Sequence, residues 1–218
     1  MPFDQIIESR PIAVIYGDVV GSRLLPDQKA LQRSMRAATR RLNEIFAQSL
    51  VEPFSVADGD RIEGALTTAI EAPLCISVLR ETLAPVAIRV GVGVGTMRPT
   101  GVQGGPRKDA FALSRQALEA LARDGGLTRY AGSGEAAEVL LTGICRLADP
   151  LIAARTAKQW QAIAAFRALG SQHAVAAHLG VTRQSISDRL RAGHRREVEA
   201  ADVAIATYLS FTHRQRVV

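Results

Sequence analysis

The sequence predicts an α+β protein in two parts: a ferredoxin-like β-α-β-β-α-β unit with its helices on one face of the sheet, then an all-helical unit. Three observations predict it. Between residues 12 and 123, apolar runs of strand length alternate with amphipathic segments of helix length. Two short apolar runs flank Asp58-Gly59, the spacing of a tight hairpin. Beyond Asp149-Pro150 every apolar pattern has helical spacing. The charge changes at the same place. Residues 1–150 hold 17 Lys+Arg and 17 Asp+Glu, whereas residues 151–218 hold 10 and 4, so the net +6 lies entirely in the last third. The expected division is therefore 1–150 and 151–218, the second part suited to a polyanion.

The elements follow in order. Ile12–Tyr16 is an apolar, β-branched run. Pro26–Leu50 places Leu31, Met35, Ala38, Leu42, Ile45 and Phe46 on one helical face, with arginines opposite. Phe54–Ala57 and Ile62–Leu66 form the arms of the hairpin. Thr68–Leu83 is helical, with Pro73 in its first turn. Val86–Gly95, VAIRVGVGVG, is a strand whose glycines permit close backbone approach. Asp109–Arg123 is a further amphipathic helix, and Pro99–Lys108 before it is a turn-rich loop.

Composition excludes several classes. No apolar run approaches the ~20 residues that span a bilayer. The opening MPFDQIIESRP has acids and a proline rather than a basic, then apolar, leader, so a cytoplasmic location is expected. Cys75 and Cys145 lie far apart in apolar surroundings and match no zinc spacing, which fits buried free thiols.

Asp18 ends the first strand and is followed by Val19-Val20-Gly21-Ser22. A β-α-β-β order sets that strand beside the hairpin and brings Asp18 towards Asp60. Two adjacent carboxylates repel unless a cation lies between them, and Mg²⁺ or Mn²⁺ with a nucleotide's phosphates suits such a pair. The turn at Gly21 and Ser22 would turn backbone N–H groups towards phosphate. The alternative is that Asp18 caps the next helix and Asp60 is a turn acid. Arg89 either pairs with an acid or holds phosphate.

Residues 171–191, SQHAVAAHLGVTRQSISDRLR, carry the pattern of a helix-turn-helix. A first helix, about 172–179, keeps Ala176 small for close packing. Gly180 makes the turn, and a second helix, about 182–191, opens on Thr182 as N-cap. Its outer face offers Arg183, Gln184, Ser187 and Arg191, with Ser185 and Arg189 close by. Arg suits guanine and Gln suits adenine in the major groove. Thr182, Ser185 and His194-Arg195-Arg196 suit phosphates. Ala157–Leu169, with Trp160 in the core, packs behind, and Glu197–Phe211 closes the bundle.

These motifs together carry a resemblance. DVVGSR after an apolar strand resembles the first-acid motif of class III nucleotide cyclases. VADGDRIEGAL resembles their second-acid hairpin and that of GGDEF diguanylate cyclases, and IRVGVGVG resembles a cyclase strand. The series GDVVGSR, GDRIEGAL, IRVGVGVG and DAFALSRQAL, followed by a helical DNA-binding motif, is most similar to the SatD family. The resemblance implies a nucleotide cyclase-like fold, with Asp18 and Asp60 in the two metal-binding positions. It places Arg115 on the triphosphate of a bound nucleotide, through an N-x-x-x-R spacing that here reads Phe111 and Arg115. Arg61 stands where the related motifs usually carry Glu, and the Asn is absent.

The expected function is a transcription regulator that binds double-stranded DNA as a homodimer. Its cyclase-like domain would sense a purine nucleotide with Mg²⁺ or Mn²⁺, or dimerise, or both. The alternative is a metal-dependent nucleotide cyclase or nucleotidyl-transfer enzyme with an appended DNA module.

Overall fold

The computed structural model describes residues 11–96 and 106–215. Strands β1 (Pro11–Val19), β2 (Leu50–Ala57), β3 (Arg61–Leu66), β4 (Ile88–Thr96) and β5 (Thr128–Ala131) form one sheet in the order β2-β3-β1-β4-β5. β1 is central and antiparallel to both β3 and β4, while β5 runs parallel to β4. The helices are α1 (Gln28–Ile45), α2 (Ala72–Leu83), α3 (Pro106–Asp124), α4 (Glu135–Ala153), α5 (Ala157–Leu169), α6 (Gln172–Leu179), α7 (Arg183–Ala192) and α8 (Arg195–Gln215). The result is an α+β fold with a mixed five-stranded sheet. The loop expected at Pro99–Lys108 lies largely outside the described residues, and α3 already begins at Pro106.

Helices cover both faces of the sheet and not the single face expected, because the glycines of β4 admit α3 on the second. Ala13 and Ile15 of β1 join the main core with Leu31, Met35 and Leu42 of α1 and Cys75 and Leu79 of α2. Ile12, Val14 and Tyr16, the alternate residues, pack beneath α3 with Ala110, Leu118 and Leu121. The glycines of β4 explain how α3 sits there. A Cβ on Gly93 would lie 1.9 Å from the Ala110 carbonyl oxygen, and one on Gly91 would lie 2.1 Å from that of Ser114. The backbone of α3 therefore rests directly on β4.

The hairpin turn is Asp58-Gly59, both with positive φ (49° and 85°). Asp27 caps α1, its carboxylate accepting from the Ala30 N–H at 2.8 Å. Asp18 lies inside β1, and the capping role considered for it belongs to Asp27.

The expected junction at Asp149-Pro150 falls inside α4. Asp149 is buried and accepts from the backbone N–H groups of Leu127 and Thr128 at 2.6 and 3.0 Å, tying α4 to the start of β5. The C-terminal helices do not stand apart from the sheet. Ile205 and Leu209 of α8 enter the same core cluster as Cys75 and Tyr130. A smaller core of Ala162, Ile163, Val175, Ala176, Ile186 and Leu190 holds α5, α6 and α7 together. Among the described residues, no helix is long and apolar enough to cross a membrane. Both cysteines are buried free thiols, with burial pushing Cys145 up to about 12.

Candidate functional site

At one end of the sheet the α3-side face turns polar. Register sets Asp18 of β1 directly between Arg61 of β3 and Arg89 of β4. The Arg61 Nε is 3.6 Å from Asp18 Oδ1, and its Nη1 reaches Asp58 at 3.1 Å. That buried Nε makes no hydrogen bond. Asp60 is adjacent: its carbonyl accepts from the Val19 N–H at 3.2 Å, and its carboxylate accepts from the buried Ser22 hydroxyl at 2.5 Å. Gly21, just before Ser22, has φ +65°, a conformation that suits glycine. Gln28 donates to the carbonyls of Ser22 and Leu25 and holds this turn in place.

Burial, and then the charge of Asp60, push the Asp18 carboxyl above its ordinary value. Arg61 and Arg89 pull it down without cancelling the rise. The two acids thus lie close enough for the charge of one to act on the other, and two carboxylates so placed are a hard-cation donor set. Among the described residues, no group of three or more His, Cys, Asp or Glu converges. Any cation held by Asp18 and Asp60 would complete its shell from water or phosphate.

Arg115 projects from α3 over the Tyr16 ring, 5.4 Å from its centroid, and reaches Glu63 at 3.3 Å. The expected nucleotide residues therefore divide. Gly21 and Ser22 lie beside Asp60 and Arg89 beside Asp18, whereas Arg115 is engaged by Glu63. Phe111 packs against the Ile12–Val14 side of the core. Glu63 and Tyr16 were not among the expected residues. Their signal was period-two alternation, which puts Tyr16 and Asp18, and Arg61 and Glu63, on one face of the sheet.

The second candidate region is α6–α7. Ser171 and Thr182 cap the two helices, accepting from Ala174 N–H and Ser185 N–H at 3.1 Å each. Gly180 joins them at φ +63°. Val175 and Ala176 of α6 and Ile186 and Leu190 of α7 are buried. Thr182, Arg183, Gln184, Arg191 and Arg196 are exposed, and Ser185, Ser187, Arg189 and His194 half-buried. Two details differ from expectation. Asp188, unremarked in the sequence, accepts from Gln184 at 3.1 Å and from Arg191 at 2.7 Å. Its spacing of four and three residues to those partners was the available signal. Arg195 does not join the outer face: it pairs with Glu199 and lies over the Phe166 ring, 4.4 Å from its centroid. An α8 arginine one turn from the α7 end is drawn inward by that aromatic–acid pocket.

No curated protein matches the chain. Among solved structures, the active GGEEF domain of a diguanylate cyclase from Vibrio cholerae is similar at 16% identity and TM-score 0.42, over 55% of this chain and 81% of that one. An EAL/GGDEF domain protein from M. capsulatus is similar at 12% identity and TM-score 0.39, over 56% and 86%. A bacterial light-regulated adenylyl cyclase is similar at 14% identity and TM-score 0.38, over 56% and 43%. Scores of this size leave the fold to be read from strand order and register. The SatD family model matches residues 11–118, from β1 to α3, just under half of the chain.

Proposed function

We propose that the protein is a DNA-binding transcription regulator, with a helix-turn-helix formed by α6 and α7 beside a cyclase-like unit that senses a nucleotide. The observation that carries this reading is the opening of α7. Thr182, Arg183 and Gln184 are exposed there, on a helix whose opposite side is anchored by buried Ile186 and Leu190. A capped helix that presents Arg and Gln at its N-terminal end is suited to base edges in the major groove. Arg191, Arg196 and His194, with Ser185, Ser187 and Arg189 on the flanks, are suited to the phosphates that set register. The positive balance of residues 151–218 supplies the accompanying long-range attraction. Fluorescence anisotropy with duplex DNA across a salt series tests this. Arg196→Ala should reduce the slope of log affinity against log salt by about 1. Arg183→Ala/Gln184→Ala should cost affinity for the preferred site far more than for random duplex. A salt-independent signal, or equal losses on both duplexes, would reject the reading.

The acid pair supports the sensing half. Asp18 and Asp60 would hold Mg²⁺ or Mn²⁺, and the ion would bridge them to the phosphates of a purine nucleotide. Gly21 and Ser22 would order the adjoining turn, and Arg89 would balance the charge next to Asp18. Arg115 would have to leave Glu63 to reach a triphosphate. Calorimetry with ATP and GTP in Mn²⁺ should give a saturable isotherm that Asp60→Ala abolishes. No heat with any nucleotide would make the unit a scaffold. Pyrophosphate release above an Asp18→Ala control would instead favour a metal-dependent nucleotidyl-transfer enzyme.

A further inference from the structure

Helix α4 is apolar nearly all round: its only charged residues are Glu135, Glu138, Arg146 and Asp149, and Asp149 is buried. Helices of that composition are normally covered on both sides. Here one side is covered. Ala137, Leu141, Cys145, Ala148 and Ile152 are buried against the protein. On the other, Val139 is 71% exposed, Leu140 45% and Leu147 78%. Ala136, Leu140, Gly143 and Leu147 recur at intervals of four, three and four residues, the spacing of a helix–helix seam. A methyl added at Gly143 would meet nothing within 4 Å.

We infer that this face of α4 is the dimer interface of the protein, closed by α4 of a second copy running antiparallel. The occupant follows from self-complementarity, which a two-fold contact demands. A two-fold axis midway between Leu140 and Gly143 sets Leu140 of each chain opposite Gly143 of the partner subunit. The same axis sets Leu147 opposite Ala136 of the partner subunit. Both layers match a large side chain with a small one. The axis also brings Arg146 level with the first turn of the opposing helix, beside Glu135 and Glu138 of the partner subunit. Arg146 is exposed and makes no ion pair among the described residues. Antiparallel packing also opposes the two helix dipoles. A parallel arrangement would stack Leu147 on Leu147 and Arg146 on Arg146. The pairing goes beyond the DNA-binding reading, because it supplies the two reading heads that a two-fold operator needs, yet it is tested without DNA.

The test is sedimentation equilibrium of the full chain. The wild type should run at twice the 23.3 kDa chain mass. Leu147→Glu is expected to run at the single-chain mass with an unchanged circular dichroism spectrum, since that side chain is exposed. Arg146→Glu should raise the dimer dissociation constant by about tenfold, and adding Glu135→Arg should restore most of the loss. A wild type that runs as a monomer at all concentrations overturns the inference. So does a dimer that Leu147→Glu leaves intact, or an Arg146→Glu defect that the charge swap does not repair.

Discussion

Asp188 and Asp202 show how single acids set the behaviour of the C-terminal helices. Asp188 holds Gln184 and Arg191 by hydrogen bonds. Those bonds must open if both side chains are to reach DNA, and the carboxylate would face phosphates. Asp188→Asn should therefore tighten binding and flatten the preference among sites, which anisotropy on matched and random duplexes measures. Asp202 of α8 accepts from the Ser77 hydroxyl at 2.6 Å, half-buried between α2 and α8. Burial raises its carboxyl from 3.8 to about 6, against the pull of that hydrogen bond and of Arg80, Arg167 and Arg155. The folded state thus binds this proton more tightly than the unfolded chain does. The stability it contributes is full below about pH 4 and is lost as pH rises through about 6. The difference is on the order of 3 kcal/mol. Urea unfolding from pH 4 to 7 should show a decline in this window that Asp202→Asn removes. A decline equal in both proteins would place its origin elsewhere.

β4 and α3 pack backbone against backbone, and the cause was half legible. The run IRVGVGVG announces a strand, and its alternation puts Gly91 and Gly93 on one face. That the missing side chains make room for a helix backbone depends on α3 crossing there, which no local pattern states. Gly93→Ala should cost at least about 2 kcal/mol, because the obstacle is the Ala110 carbonyl oxygen and not a movable side chain. Guanidinium unfolding checks this, and a cost near zero would mean that α3 lifts freely. The Asp58-Gly59 turn, α1 and the Thr182-capped α7 were legible because each is written in local residues. β5 was not: four residues between glycines carry too short a pattern. The same holds for α4, where Asp149-Pro150 has the look of a break. The helix runs on through the proline to Ala153, and the aspartate faces inward to the β5 backbone.

The whole molecule is joined across a charged seam. Glu81 of α2, almost fully buried, receives both hydrogen bonds of the Arg167 Nε from α5, at 2.9 and 2.8 Å. Nearby, Arg155 donates to the Gly193 carbonyl at 2.7 Å and lies over Trp160, 4.7 Å from the ring centroid. Glu81 and Arg167 stand in no motif and lie on unmarked stretches of helix, which is why this seam, unlike the acid pair at residues 18 and 60 with its strand-end and hairpin motifs, could not be read beforehand. Arg167→Met leaves Glu81 buried and unpaired and should cost about 3 kcal/mol. Adding Glu81→Gln should recover much of it. Trp160, the single tryptophan, sits at the seam, so its fluorescence and the far-ultraviolet dichroism should report one coincident transition in the wild type.

The proposed reading of DNA sequence by α7 is open to a genome-wide test. Genomic fragments retained by the purified full-length protein are sequenced, with Arg183→Ala/Gln184→Ala as the control. The wild type should enrich a two-fold symmetric site that the control loses. Uniform retention, equal in the control and abolished by salt, would contradict it and leave only nonspecific attraction between a basic surface and phosphate.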